Sequence, residues 1–126
     1  MTIDDYFLKT EQIIVDFDLV VWHKTEKKKT DDTFGIFKGL LYFEEGRLEF
    51  IEVVRIIAKK ALKIKYKYHF MTNENKMIFR YDNVKHHPNI STFPHHKHID
   101  NDIIPSSEPD FMLILSEIRE FKNLNS

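Results

Sequence analysis

Apolar residues at Ile3, Tyr6, Phe7, Ile13, Ile14 and Phe17 recur near helical spacing, which predicts an amphipathic helix from residue 3 to about 15. Thr2 and Asp5, just ahead of it, have the spacing of a capping box with Asp in place of Glu. From Asp16 the period changes. Residues 17–24 and 34–43 are rich in Val and aromatics and read as strands. Gly35 and Gly39 inside the second one mark a bulge or a close approach by another backbone. The run Lys27-Lys28-Lys29-Thr30-Asp31-Asp32 between these strands reads as a charged loop. Residues 44–47 make a hairpin turn, residues 48–57 a third strand, and Lys59-Lys60 the turn that follows.

The clearest pattern comes next. Leu62, Ile64, Tyr66, Tyr68 and Phe70 alternate with Lys63, Lys65, Lys67 and His69, which predicts a fourth strand with an apolar face inward and a basic stripe outward. Residues 72–75 turn the chain, and residues 76–82 return as a fifth strand with Met77, Phe79 and Tyr81 on its apolar face. Pairing Met71 with Lys76 satisfies the alternation on both strands; it sets Tyr68 opposite Phe79, Lys67 opposite Arg80 and Lys65 opposite Asp82. Residues 83–105, interrupted by Pro88, Pro94 and Pro105, read as irregular. Ser107 and Asp110 repeat the capping-box spacing with Pro109 in the first turn, and Phe111, Ile114, Leu115, Ile118 and Phe121 form a helical stripe. The expected fold is α+β: an N-terminal helix, an antiparallel sheet of about five strands, a His/Pro-rich loop and a C-terminal helix, in one domain over residues 1–126.

Composition narrows the function classes. A chain of 126 residues with 42% hydrophobic and 13% aromatic residues can build a packed core, unlike a disordered segment. The net charge of −1 does not demand a nucleic-acid partner, and it leaves room for a local basic face. The absence of cysteine excludes a disulfide scaffold, a thiolate nucleophile and any Cys-ligated zinc. The longest apolar run, residues 111–115, is far short of the roughly 20 residues of a membrane span. The opening Thr2-Ile3-Asp4-Asp5 has no basic region or apolar core of a signal peptide. The expectation is a soluble cytoplasmic protein without membrane contact.

Candidate chemistry concentrates between residues 80 and 98. His86, His87, His95, His96 and His98 are five of the 7 histidines, and prolines beside both pairs restrict the backbone that carries them. Three readings compete. Imidazoles can act as base and acid on an RNA phosphodiester, whose 2′-OH is its own nucleophile, with Arg80, Lys67, Lys85 and Lys97 holding phosphate charge and Asp82 orienting a ring. Alternatively, His96 and His98, which alternate as on a strand, can join His86 or His87 and Asp82 around a metal ion, although the spacing matches no defined metal motif. Finally, histidines in a long loop can simply satisfy backbone groups. Glu52, which interrupts an apolar strand, is exposed, paired with a cation or part of the site.

The segments Tyr66-Lys67-Tyr68-His69, Phe79-Arg80-Tyr81-Asp82-Asn83, His86-His87-Pro88 and Thr92-Phe93-Pro94-His95-His96-Lys97-His98 together resemble the TumE-like toxin family, as do the early Tyr6-Phe7 helix and the Ser-Ser-x-Pro-Asp start at residues 106–110. The resemblance covers nearly the whole chain. It implies the toxin of a type II toxin–antitoxin pair, inhibited by a cognate protein antitoxin, with Arg80, Asp82, Asn83, His86, His87, Pro94, His95, His96 and His98 at the family's motif positions. Combined with the residue chemistry, it gives the expectation of a metal-independent endoribonuclease without cofactor. In that expectation Arg80, Asp82, His86, His87, His95, His96 and His98 are catalytic, and Lys67, His69, Asn83, Lys85 and Lys97 bind the substrate. The competing expectation is a non-catalytic toxin that blocks a cellular target by occupancy. A homodimer through an edge strand is a further expectation.

Overall fold

The computed structural model describes residues 1–125. Helix α1 spans Ile3–Asp16, and its capping box is closed from both sides: the Thr2 hydroxyl accepts from the Asp5 amide at 3.2 Å, and the Asp5 carboxylate accepts from the Thr2 amide at 2.8 Å. Seven strands follow: β1 (Trp22–Asp31), β2 (Phe34–Tyr42), β3 (Gly46–Ile57), β4 (Lys60–Thr72), β5 (Met77–Asp82), β6 (His96–Ile99) and β7 (Asp102–Pro105). Helix α2 (Phe111–Leu124) closes the chain. The strands form one antiparallel meander in sequence order, each paired with the next.

Both helices lie on one face of the sheet, and the core forms beneath them. Ile3, Phe7 and Ile14 of α1 and Phe111, Ile114, Leu115 and Ile118 of α2 are buried with Phe37, Leu41, Leu48, Phe50, Tyr68, Phe70 and Phe79 of the sheet. Each such side chain contributes roughly 1.5–3 kcal/mol by leaving water. Aromatic rings run through the layer: Phe50 and Phe111 meet edge to face at 5.0 Å, and Phe70 meets Phe121 at 5.5 Å. Gly35 allows α1 this close, since a Cβ there would sit 2.8 Å from both Ile3 and Phe7. At Gly39 a Cβ would lie 2.6 Å from the Lys24 carbonyl oxygen of β1. The close approach expected from these glycines is therefore present, without a bulge between them in the β2–β3 ladder.

The sheet departs from expectation in several places. It has seven strands rather than about five, because residues 96–105 form the hairpin β6–β7 instead of an irregular loop. Strand β1 begins at Trp22 and runs through Lys27, Lys28 and Lys29, so the charged run is an edge strand rather than a loop. Helix α2 is capped by Asp110, whose side chain accepts from the Leu113 amide at 2.8 Å, and not by Ser107.

Two corrections concern β4. A bulge opposite Val53 and Val54 skips Ile64, so the chain changes parity there. Lys63 turns into the core face, while Leu62 and Ile64 are about half exposed. The expected continuous stripe of Lys63, Lys65 and Lys67 is thus broken. Between β4 and β5 the register is displaced by two residues from the expected one: Lys67 faces Asp82, Tyr68 faces Tyr81 and His69 faces Arg80. A two-residue slip preserves both faces, so hydrophobic alternation alone does not distinguish the two pairings. A one-residue shift at Met71, which pairs with Met77, takes up half of that difference before the turn.

Buried Lys63 meets Glu52, the carboxylate that interrupts β3. Its ammonium lies 3.9 Å from Glu52 Oε2 and donates to the Tyr68 hydroxyl at 2.7 Å and to the Pro109 carbonyl. Tyr6 and Tyr68 both donate to Glu52. Burial pushes the Glu52 carboxyl up and the Lys63 ammonium down, each partly opposed by the other's charge. This network ties α1, the β3–β4 pair and the approach to α2 together on the helix-bearing side.

Candidate functional site

The helix-free face of the sheet gathers a different set of side chains. In the β4–β5–β6 ladder, Lys67 faces Asp82 and Asp82 faces His96; His69 faces Arg80 and Arg80 faces His98. Directly paired residues project to the same side, so all six share one face. Residues 83–95 return across it through a series of turns, including His86 amide to Val84 carbonyl at 2.9 Å and His95 amide to Thr92 carbonyl at 2.8 Å. This path sets the His87 ring 5.0 Å from His96 and 6.0 Å from His98, centre to centre. The rings of His96 and His98 are 4.9 Å apart.

Asp82 is the hub. It is 3% exposed, and its carboxylate accepts from Arg80 Nε at 3.2 Å and from the Val84 amide at 3.0 Å. Its Oδ2 lies 3.5 Å from His98 Nε2 and its Oδ1 lies 2.8 Å from His96 Nε2. The last contact is close but is not a hydrogen bond, because the oxygen lies off the axis along which that ring nitrogen would donate. His96 is 2% exposed, and its Nδ1 lies 2.9 Å from the Pro94 carbonyl. A carbonyl only accepts, so Nδ1 carries the proton of this bond. Arg80 donates to His98 Nε2 at 3.0 Å, which assigns the opposite role to that nitrogen: it accepts. Burial, then the Arg80 charge, holds the His98 imidazole below its ordinary pKa. The same two causes lower His69, whose Nε2 is buried without a hydrogen-bond partner.

The sequence-derived candidates divide accordingly. Arg80, Asp82, His87, His96 and His98 converge, with Lys67 and His69 on the same face. His86 is exposed beside His87, with ring centres 6.4 Å apart, and Lys85 next to it is exposed. Three candidates are placed elsewhere. His95 stacks on Tyr66 and meets its hydroxyl through Nδ1 at 2.9 Å, toward the helix-bearing side. Lys97 projects to that side too, paired with Glu117 of α2 at 2.8 Å and lying over the Tyr81 ring. Alternation along β6 separates His96 and His98 from Lys97 in this way. Asn83 spends its amide on β4, accepting from the Tyr66 amide at 3.0 Å and donating to the Ile64 carbonyl at 2.9 Å. It latches the strand where the bulge has released it.

Beyond Lys67 the same face continues as a shallow groove of about 420 Å³, floored by Leu40 and Ile51 and flanked by Lys24 and Lys38, with Glu26 and Glu49 also at its border. Lys24 and Lys38 were not singled out in the sequence. The alternation of β2 places Lys38 outward, but only the pairing of Lys38 with Ile51 and of Ile51 with Lys67 brings it into line with the cluster.

The arrangement offers imidazoles for proton transfer, a guanidinium and an ammonium for an anion, and a buried carboxylate that organises them. Among the described residues no helix is long and apolar enough to cross a membrane. Neither a curated protein nor a solved structure matches the chain. The family model described as Toxin TumE matches residues 8–123, a span that contains the whole histidine cluster, and the chain belongs to this toxin family.

Proposed function

We propose that the protein is a toxin that cleaves RNA at the histidine cluster of the helix-free face and is neutralised by a cognate protein antitoxin. The observation that supports this reading is the convergence of His87, His98 and Arg80 around buried Asp82, beside Lys67. His87 and His98 stand across from each other at the surface of the cluster, whereas Asp82 and His96 are buried and act as positioning residues. With a phosphodiester bound, Arg80 transfers its hydrogen bond from His98 to a phosphate oxygen. That frees the nitrogen lone pair to take the 2′-OH proton. The 2′ oxygen then attacks phosphorus, the bond to the 5′ oxygen breaks, and protonated His87 donates to the leaving oxygen. The products end in a 2′,3′-cyclic phosphate and a 5′-hydroxyl. Arg80 and Lys67 stabilise the charge that develops on the phosphate. No metal is needed for this chemistry, because RNA supplies the nucleophile.

The test is incubation of purified protein with RNA in the presence of chelator, with product ends determined. Cyclic phosphate ends are expected, and His98→Ala is expected to slow cleavage by about 10²–10⁴-fold, the usual contribution of a general base. Intact RNA alongside arrested growth would overturn the reading in favour of a toxin that acts by occupying its target.

A further inference from the structure

We propose that His87, His96 and His98 form a binding site for a divalent transition-metal ion, with Asp82 supplying a fourth, oxygen ligand. The ligand nitrogens of the three imidazoles lie within 4.8 Å of one another. A tetrahedral zinc ion with bonds of ~2.0–2.1 Å spaces its ligands about 3.4 Å apart, so rotations of the rings close the set without moving the strands.

His96 carries the argument. Its Nδ1 proton is committed to the Pro94 carbonyl, which directs the Nε2 lone pair into the cluster. That Nε2 is buried and makes no hydrogen bond, and a carboxylate oxygen of Asp82 lies 2.8 Å from it, off the lone-pair axis. A ring nitrogen and a carboxylate oxygen this close, with no hydrogen bond between them, are two donor atoms that a cation placed against both would satisfy. A backbone carbonyl on one ring nitrogen is also the usual device that orients the other toward a metal. His87 reaches the cluster from the loop, and His98 exchanges its bond from Arg80 for the ion while Arg80 keeps its bond to Asp82. Three imidazoles and a carboxylate, with no thiolate in the chain, suit zinc, nickel or iron(II) over calcium or magnesium. The sequence left a metal reading of these histidines open beside the metal-independent one, and this proposal takes it up.

The site itself follows from ligand geometry; its effect on cleavage rests on the function proposed above, since imidazoles that hold an ion cannot move protons. The experiment uses untagged full-length protein, stripped with chelator and titrated with zinc chloride by calorimetry and native mass spectrometry, with a melting curve at each loading. One equivalent is expected to bind and raise the melting temperature. His87→Asn and His98→Asn are each expected to weaken uptake at least tenfold, and Lys97→Ala is expected to leave it unchanged. His87 is a partly exposed loop residue, so its variant keeps the fold if His98→Asn does not. Absence of saturable uptake, or uptake equal in both histidine variants and wild type, overturns the site. RNA cleavage by stripped and loaded protein separates the two claims. Cleavage without any metal uptake removes the site and keeps the acid–base reading. Uptake with no cleavage in either state, or cleavage only when loaded, keeps the site and removes that reading.

Discussion

Lys63 and Glu52 illustrate how a single side chain is fixed by backbone geometry. Desolvating both charges is costly, and the pair persists because Tyr6, Tyr68 and the Pro109 carbonyl satisfy it. Lys63→Met alone is expected to destabilise the fold by about 3–5 kcal/mol, whereas Lys63→Met with Glu52→Leu should lose less than the single change; urea denaturation measures both. The pH dependence has a definite sign. The folded-state pKa of Glu52 is raised above its ordinary 4.5, so its contribution to stability is fully present below pH 4.5 and is lost as pH rises through the raised value. Glu52→Gln is expected to flatten that decline. An unchanged slope would show that Glu52 is not perturbed. In the sequence Glu52 stood out as a charge in an apolar strand. Its partner did not, because alternation assigned Lys63 to the outer face and nothing in residues 60–66 announces the bulge.

At the level of elements, β2, β3, β4 and both helices were legible because each repeats its period over nine residues or more, whereas the exposed, charged β1 has no apolar alternation to read. β6 and β7 were not: each has four residues, too few for a period, and Pro94 and Pro105 bracket them. Pro105 is tolerated because β7 is an edge strand and Pro105 ends it. The alternation of His96 and His98 was the available signal; Asp100, whose φ is 52°, lies in the turn between the two strands. The β4–β5 register was misplaced by two residues for want of a feature that alternation could read. Asn83 now explains part of the true register, since it clamps β4 at Ile64 and Tyr66. Asn83→Ala is expected to destabilise by about 1–3 kcal/mol and to speed hydrogen exchange at the Tyr66 amide selectively. Equal exchange in the two proteins would remove the latch. β1 exposes Lys24, Lys27, Lys28 and Lys29 along an unpaired edge, a composition that opposes strand addition.

Over the whole molecule the sheet separates two sets of side chains. One face carries both helices, the aromatic core and the Lys63–Glu52 network; the other carries the histidine cluster and the groove leading from it. The sequence singled out candidate residues for the chemistry, but not this partition, because residues 95–98 alternate between the faces and the irregular reading of residues 83–105 gave them no direction. If RNA follows the groove past Lys67, Lys38 and Lys24, Lys67→Ala is expected to weaken RNA binding and to reduce its salt dependence by about one counterion. Binding titrations at several salt concentrations measure this, and an unchanged slope would place the RNA elsewhere. The partition itself is tested most directly by comparing RNA cleavage rates of His98→Ala and His95→Ala, both verified as folded by their melting curves. The account predicts at least a hundredfold loss for His98→Ala and a rate within a few-fold of wild type for His95→Ala. Equal losses in both variants, or a greater loss in His95→Ala, would contradict it.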